Sequence, residues 1–107
     1  MNQEESMQSK FHLKTQKRNQ NLYIDLYGIF DGSSAFELVN IIEKEKNRHR
    51  SIYIDTNRLS RSFPFGRAVL NSHLPNNSLR DKLHFLGRWA SRIRPEGSRL
   101  LEMKKSG

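Results

Sequence analysis

The 107 residues suit one domain with a single modest core, and the absence of cysteine excludes disulfides, thiolate metal sites and cysteine nucleophiles. Apolar residues make up 35% and charged residues 28%, but the apolar ones are clustered, as expected of a folded centre rather than a disordered chain. The net charge of +8 is uneven: residues 1–56 carry eight Lys/Arg and eight Asp/Glu, residues 57–107 carry eleven and three, so the whole excess lies in the second half and points to an acidic partner, an anionic ligand or nucleic acid, or else to a solvated basic face.

Residues 1–10 and 104–107 are polar and aperiodic and are expected to be disordered tails around a domain of residues 11–103. No apolar run could serve as a signal-peptide core or span a bilayer, which reads as a cytoplasmic protein. "FHLKT" (11–15) and "NLYIDLYG" (21–28) alternate with period two, and the short polar link between them predicts an antiparallel hairpin. Next, Ala35, Leu38, Val39 and Ile42 recur at helical spacing, with Ser34 and Glu37 at capping-box spacing for the helix start. "SIYID" (51–55) reads as a strand parallel to the second, the far side of a β-α-β unit.

A second helix is expected from Pro64 to a stop at Pro75, with Phe65, Ala68, Val69 and Leu70 as its buried candidates. Residues 82–87, "KLHFLG", fit a fourth strand. Leu79, Leu83, Leu86, Ala90 and Ile93 also recur at roughly helical spacing, but Gly87 interrupts that version, and a four-stranded sheet buries more. A short helix follows from Arg88, giving the order β-β-α-β-α-β-α: one small α/β domain with a four-stranded mixed sheet covered by helices.

Little here points to catalysis. His12, His49, His73 and His84 lack metal-ligand spacing, and there is no nucleophile elbow or phosphate loop. Asp31 and Asp55 fall near the carboxyl ends of adjacent parallel strands, where a metal or acid/base role is open to them, but capping and turn roles suit them better. No metal or other cofactor is expected. Arg88, Arg92, Arg94, Arg99, Lys104 and Lys105 surround Trp89, a mixture that could stack a base while neutralising phosphates; Trp89 four residues before Ile93 also suits packing of the last helix on the sheet. Nucleic-acid or other polyanion binding by this half is therefore the alternative to a protein partner.

"LYIDLYGIFDGSSAFELVNIIEK", "RSIYIDTNRL" and the helix after "PFG" together resemble the STAS domain of sulfate transporters and anti-sigma factor antagonists. Gly28 and Asp31 are similar to the family's Gly-x-x-Asp turn, Ile54 and Asp55 to its apolar-Asp-apolar step, and Gly66 to the glycine of its Asp-Ser-Ser-Gly-like segment. The resemblance covers about residues 11–75 and implies a non-enzymatic regulatory module that works by protein–protein contact. It also implies a phosphorylatable serine at the mouth of the second helix. This sequence has Phe63, Pro64 and Phe65 there, so the site of the switch is implied without the switch.

Around that point Arg58, Arg61, Ser62 and Arg67 flank the aromatics in "SRSFPFGR". Phe and Arg together are the composition of an interface centre, with an acidic partner surface implied. The other reading is that Phe63 and Phe65 plug the gap between sheet and helix while the arginines are simply solvated.

Overall fold

The computed structural model describes residues 10–74 and 77–101. The tails at residues 1–9 and 104–107, with Lys104 and Lys105, and the helix stop at Pro75 lie outside the described residues. Strand β1 (His12–Arg18) pairs antiparallel with β2 (Asn21–Phe30) across a two-residue turn. Asn19 takes the left-handed conformation there (φ 59°), which asparagine tolerates.

Helix α1 (Gly32–Glu45) crosses to β3 (Ser51–Asp55), which pairs parallel with the first half of β2. The chain then returns to the same edge of β2 as β4 (Leu59–Ser62), parallel to residues Gly28–Phe30. The register shifts between Gly28 and Ile29, and Gly28 takes φ 90°, a backbone conformation that a side chain would strain. Helices α2 (Pro64–His73) and α3 (Asn77–Lys82) lead to β5 (Leu83–Leu86), and helix α4 (Ala90–Ile93) leads to β6 (Arg99–Leu100). The path across the sheet is β1-β2-β3-β5-β6, with β4 on the upper half of β2.

The mixed α/β class is the one expected, and residues 83–86 form a strand. Among the described residues the sheet has six strands instead of four. The two additional ones are short and polar: β4 buries only Leu59, and both residues of β6 are exposed, so neither carries the apolar alternation that marks a half-buried strand.

Every second residue of β2, from Leu22 to Phe30, is buried, as are Ile52 and Ile54 of β3 and Leu83 and Phe85 of β5. They meet Leu38, Val39 and Ile42 of α1, Val69 and Leu70 of α2, and Ala90 and Ile93 of α4 in one cluster. On the opposite face, Tyr23, Tyr53 and His84 stack across three strands at 4.9 and 4.7 Å between ring centroids. Burial in this stack, with Arg99 nearby, lowers the His84 pKa below its ordinary value. Among the described residues, no helix is long and apolar enough to cross a membrane.

In α2, Val69 and Leu70 are buried as expected, whereas Phe65 and Ala68 are exposed. The inward position on the first turn belongs to Gly66. A Cβ there would sit 2.7 Å from the ring of Phe30, which is fully buried. Gly66→Ala is therefore expected to destabilise the fold by about 1–3 kcal/mol through overpacking, against roughly 1 kcal/mol gained in helix propensity. Urea unfolding measures the balance; a more stable variant would show that α2 does not rest on Phe30.

Candidate functional site

The segment from Arg58 to Arg67 runs along β4 and turns into α2. The Phe63 amide donates to the Phe30 carbonyl at 2.9 Å, pinning the turn to the end of β2. Phe63 is the N-cap and offers no capping side chain, while Pro64 opens the helix without a wasted donor. Phe63 is 42% and Phe65 68% exposed, so the second aromatic in particular is no core plug. The Phe65 ring lies against Gly32, where a Cβ would come within 2.6 Å of it. One turn along the seam between α1 and α2, Phe36 meets the edge of His73 at 4.7 Å and is itself 43% exposed.

The arginines do not form one ring around the aromatics. Arg61 lies over the Phe63 ring, 5.7 Å from its centroid, and Arg58, just before β4, is exposed. Arg67 belongs to another flank of α2: its Nε donates to the Arg94 carbonyl at 2.9 Å. There, Ser62, Pro64, Arg67, Ala68, Asn71 and Arg92 line a groove of about 460 Å³. The structure thus joins part of the junction to part of the basic C-terminal half.

Trp89 makes that junction. Its indole Nε1 donates to the Leu59 carbonyl of β4 at 3.0 Å, and its amide donates to Oγ1 of buried Thr56 at 3.0 Å. The Arg88 amide donates to Asn57 Oδ1 at 3.0 Å, so the loop after β3 and the loop after β5 are tied together. Arg88 and Arg92 lie over the Trp89 ring, 5.7 and 5.5 Å from its centroid. Arg94 donates to the Ser98 carbonyl. Arg99 is elsewhere, ion-paired with Asp81 at 2.7 Å. Among the described residues, Arg58, Arg61, Arg67, Arg88, Arg92 and Arg94 have no carboxylate partner.

Both candidate aspartates are bound to backbone. Asp31 is the N-cap of α1: Oδ1 accepts from the Ser34 amide and hydroxyl, both at 2.9 Å. This replaces the expected Ser34–Glu37 capping box, because the helix starts one turn earlier than that pair requires. The Ser34 amide holds the Asp31 carboxyl below its ordinary value. Asp55 Oδ1 accepts from the Asn57 amide at 2.8 Å, a side-chain-closed turn. Among the described residues, no three His, Asp or Glu side chains are grouped to hold a metal ion.

No protein-family model matches the chain, and no curated protein matches it by sequence. Among solved structures it is similar to the anti-sigma factor antagonist SpoIIAA in its unphosphorylated form, with TM-score 0.60 and 14% identity, covering 89% of this chain and 90% of that one. An anti-sigma factor antagonist from Mycobacterium paratuberculosis gives TM-score 0.60 at 15% identity, covering 78% and 74%. The fold is STAS-like. A part of Mglu also shares it, with TM-score 0.55 and 13% identity over 81% of this chain but 18% of that one. Within the STAS-like fold, the three elements that carried the resemblance have architectural work here: Asp31 caps α1, Asp55 closes a turn, and Gly66 seats α2 on Phe30.

Asp31→Ala should cost about 0.5–2 kcal/mol at neutral pH, the usual worth of an N-cap. Because the folded-state pKa of Asp31 is depressed, the cap's contribution is complete above its ordinary value near 3.8 and lost as pH falls through the lower folded value. Urea unfolding of both proteins as a function of pH should show their difference closing below pH 4; a constant difference would remove the cap as its cause.

Proposed function

We propose that this chain is a non-enzymatic, STAS-like regulatory module that binds a protein partner through the junction of residues 58–67, without control by serine phosphorylation at its second helix. The observation that carries this reading is Phe65, an aromatic ring 68% exposed on the first turn of α2, in a segment that also exposes Phe63, with Arg61 over its ring, and Arg58. Exposed aromatics next to unpaired arginines are the groups that dominate interface energetics. The arginines without carboxylate partners favour an acidic partner surface and would speed association with it. Pro64 stands where the resemblance implies a phosphoacceptor, and the nearby Ser60 hydroxyl donates to the Gly28 carbonyl. The non-enzymatic part is supported by Asp31 and Asp55, whose carboxylates serve a cap and a turn.

The same unpaired arginines favour a second reading, nucleic-acid or other polyanion binding. It would use cations alone, since the Trp89 indole is already bonded to Leu59 and lies under two guanidiniums. Affinity for such a ligand should fall linearly with salt on a log–log plot as counterions are released.

Phe65→Ala is expected to cost less than about 1 kcal/mol, far below the 3–5 kcal/mol of a core phenylalanine, and to abolish partner capture. A pull-down from native lysate, eluted separately by salt and by nuclease, reads the outcome alongside a melting curve. Elution by nuclease would move the reading to polyanions. Capture unchanged by Phe65→Ala and by the charge reversals Arg58→Glu and Arg61→Glu would remove the junction as the site.

A further inference from the structure

The groove between α2 and α4 has a chemistry of its own. Among the described residues its lining holds Arg67, Arg92, Ser62 and Asn71, and no Asp or Glu. Arg67 spends only Nε on the Arg94 carbonyl, which fixes the guanidinium and leaves its terminal nitrogens without an acceptor among the described residues. Arg92 lies over Trp89 and makes no side-chain hydrogen bond among the described residues. The Ser62 hydroxyl likewise makes no hydrogen bond among the described residues.

The surroundings keep this spot cationic. Arg80 donates to the Leu74, Asn71 and Glu96 carbonyls, placing a third guanidinium behind Asn71. Asn71 itself is engaged, its Oδ1 accepting from the Glu96 amide at 3.1 Å and from Arg80 at 3.4 Å. The Glu96 side chain, whose backbone meets both Asn71 and Arg80, is exposed and without an ion pair among the described residues.

One guanidinium held in place, Arg67, a second, exposed one, Arg92, and a hydroxyl with a free donor suit a ligand with two negative charges and several acceptor oxygens. A carboxylate satisfies one fork; a phosphate monoester can satisfy both at once. We infer that the α2–α4 groove, through Arg67, Arg92 and Ser62, binds a phosphate monoester in its dianionic form. The shared chemistry is that of a phosphorylated side chain or a small phosphorylated molecule. The inference does not require the partner complex proposed above.

The test is an amide NMR titration of the whole chain with inorganic phosphate, O-phosphoserine, glycerol 3-phosphate, sulfate and acetate at constant ionic strength. The phosphates should shift the amides of Ser62, Arg67 and Arg92, and acetate should not. The affinity of the two monoesters should fall from pH 7.5 to pH 5 as the ligand, whose second pKa is about 6, loses its second charge, while sulfate should hold its affinity. Arg92→Gln, at an exposed side chain with no hydrogen bond to lose, should keep the fold and weaken phosphate binding at least tenfold. Arg67→Lys, keeping charge without the fork, should weaken it as well. Preference for O-phosphoserine would assign a phosphorylated side chain as the source, and equal responses a small ester. Equal shifts from acetate, or binding unchanged in both variants, would overturn the inference. Neither outcome bears on partner capture, which is read separately through Phe65.

Discussion

The contact between Phe30 and the first turn of α2 decides how the candidate surface is built. Phe30 ends β2 fully buried, touches Phe11 edge-on at 6.0 Å, and fills the space beneath Gly66. Its carbonyl also takes the Phe63 amide, so side chain and backbone fix the same turn. With that core position filled by Phe30, Phe63 and Phe65 are left on the outside. Exposing an aromatic costs the burial it could have had, roughly 1.5–3 kcal/mol for a phenylalanine, and the fold accepts this at a point held from two sides.

A second constraint acts through Trp89. Nothing in local propensity requires residues 56–59 to meet residues 88–89, about thirty positions away. The Trp89 indole, the Thr56 hydroxyl and the Asn57 amide together close that gap. Consequently Arg92 joins Arg67 in one groove, and two basic stretches that are separate in the chain share one region of surface. Self-repulsion among unpaired guanidiniums is a standing cost to stability. An anionic partner or ligand would relieve it, which connects the electrostatics of the fold to both proposals.

Much of the architecture was legible because the central strands bury alternate residues and α1 buries one stripe. Leu22, Ile24 and Leu26, then Ala35, Leu38, Val39 and Ile42, announce their elements by period alone. Strands β4 and β6 were not legible, since short polar strands at a sheet margin leave no such pattern. A Ser-x-x-Glu spacing points to Ser34 as the cap of α1; Asp31, three residues earlier, has the stronger acceptor and begins the helix. In α2 the apolar pattern points Val69 and Leu70 inward, where they lie, but also Phe65 and Ala68, which are exposed, because a glycine can face the core when a large ring from another strand fills the space it leaves. The aromatics, the arginines and Pro64 could be singled out from the sequence, yet their division between an aromatic surface and a cationic groove could not. That division depends on Arg67 reaching Arg94 and on the long-range bond from Trp89 to Leu59.

The central claim is that the chain meets a protein partner at the junction and not on its sheet. Photo-crosslinking from a benzoylphenylalanine placed at position 65, compared with one placed at position 23 on the opposite sheet face, tests it most directly. The account predicts a covalent adduct with one protein from position 65, lost when Arg58→Glu and Arg61→Glu are added, and none from position 23. Adducts from position 23 alone would contradict it.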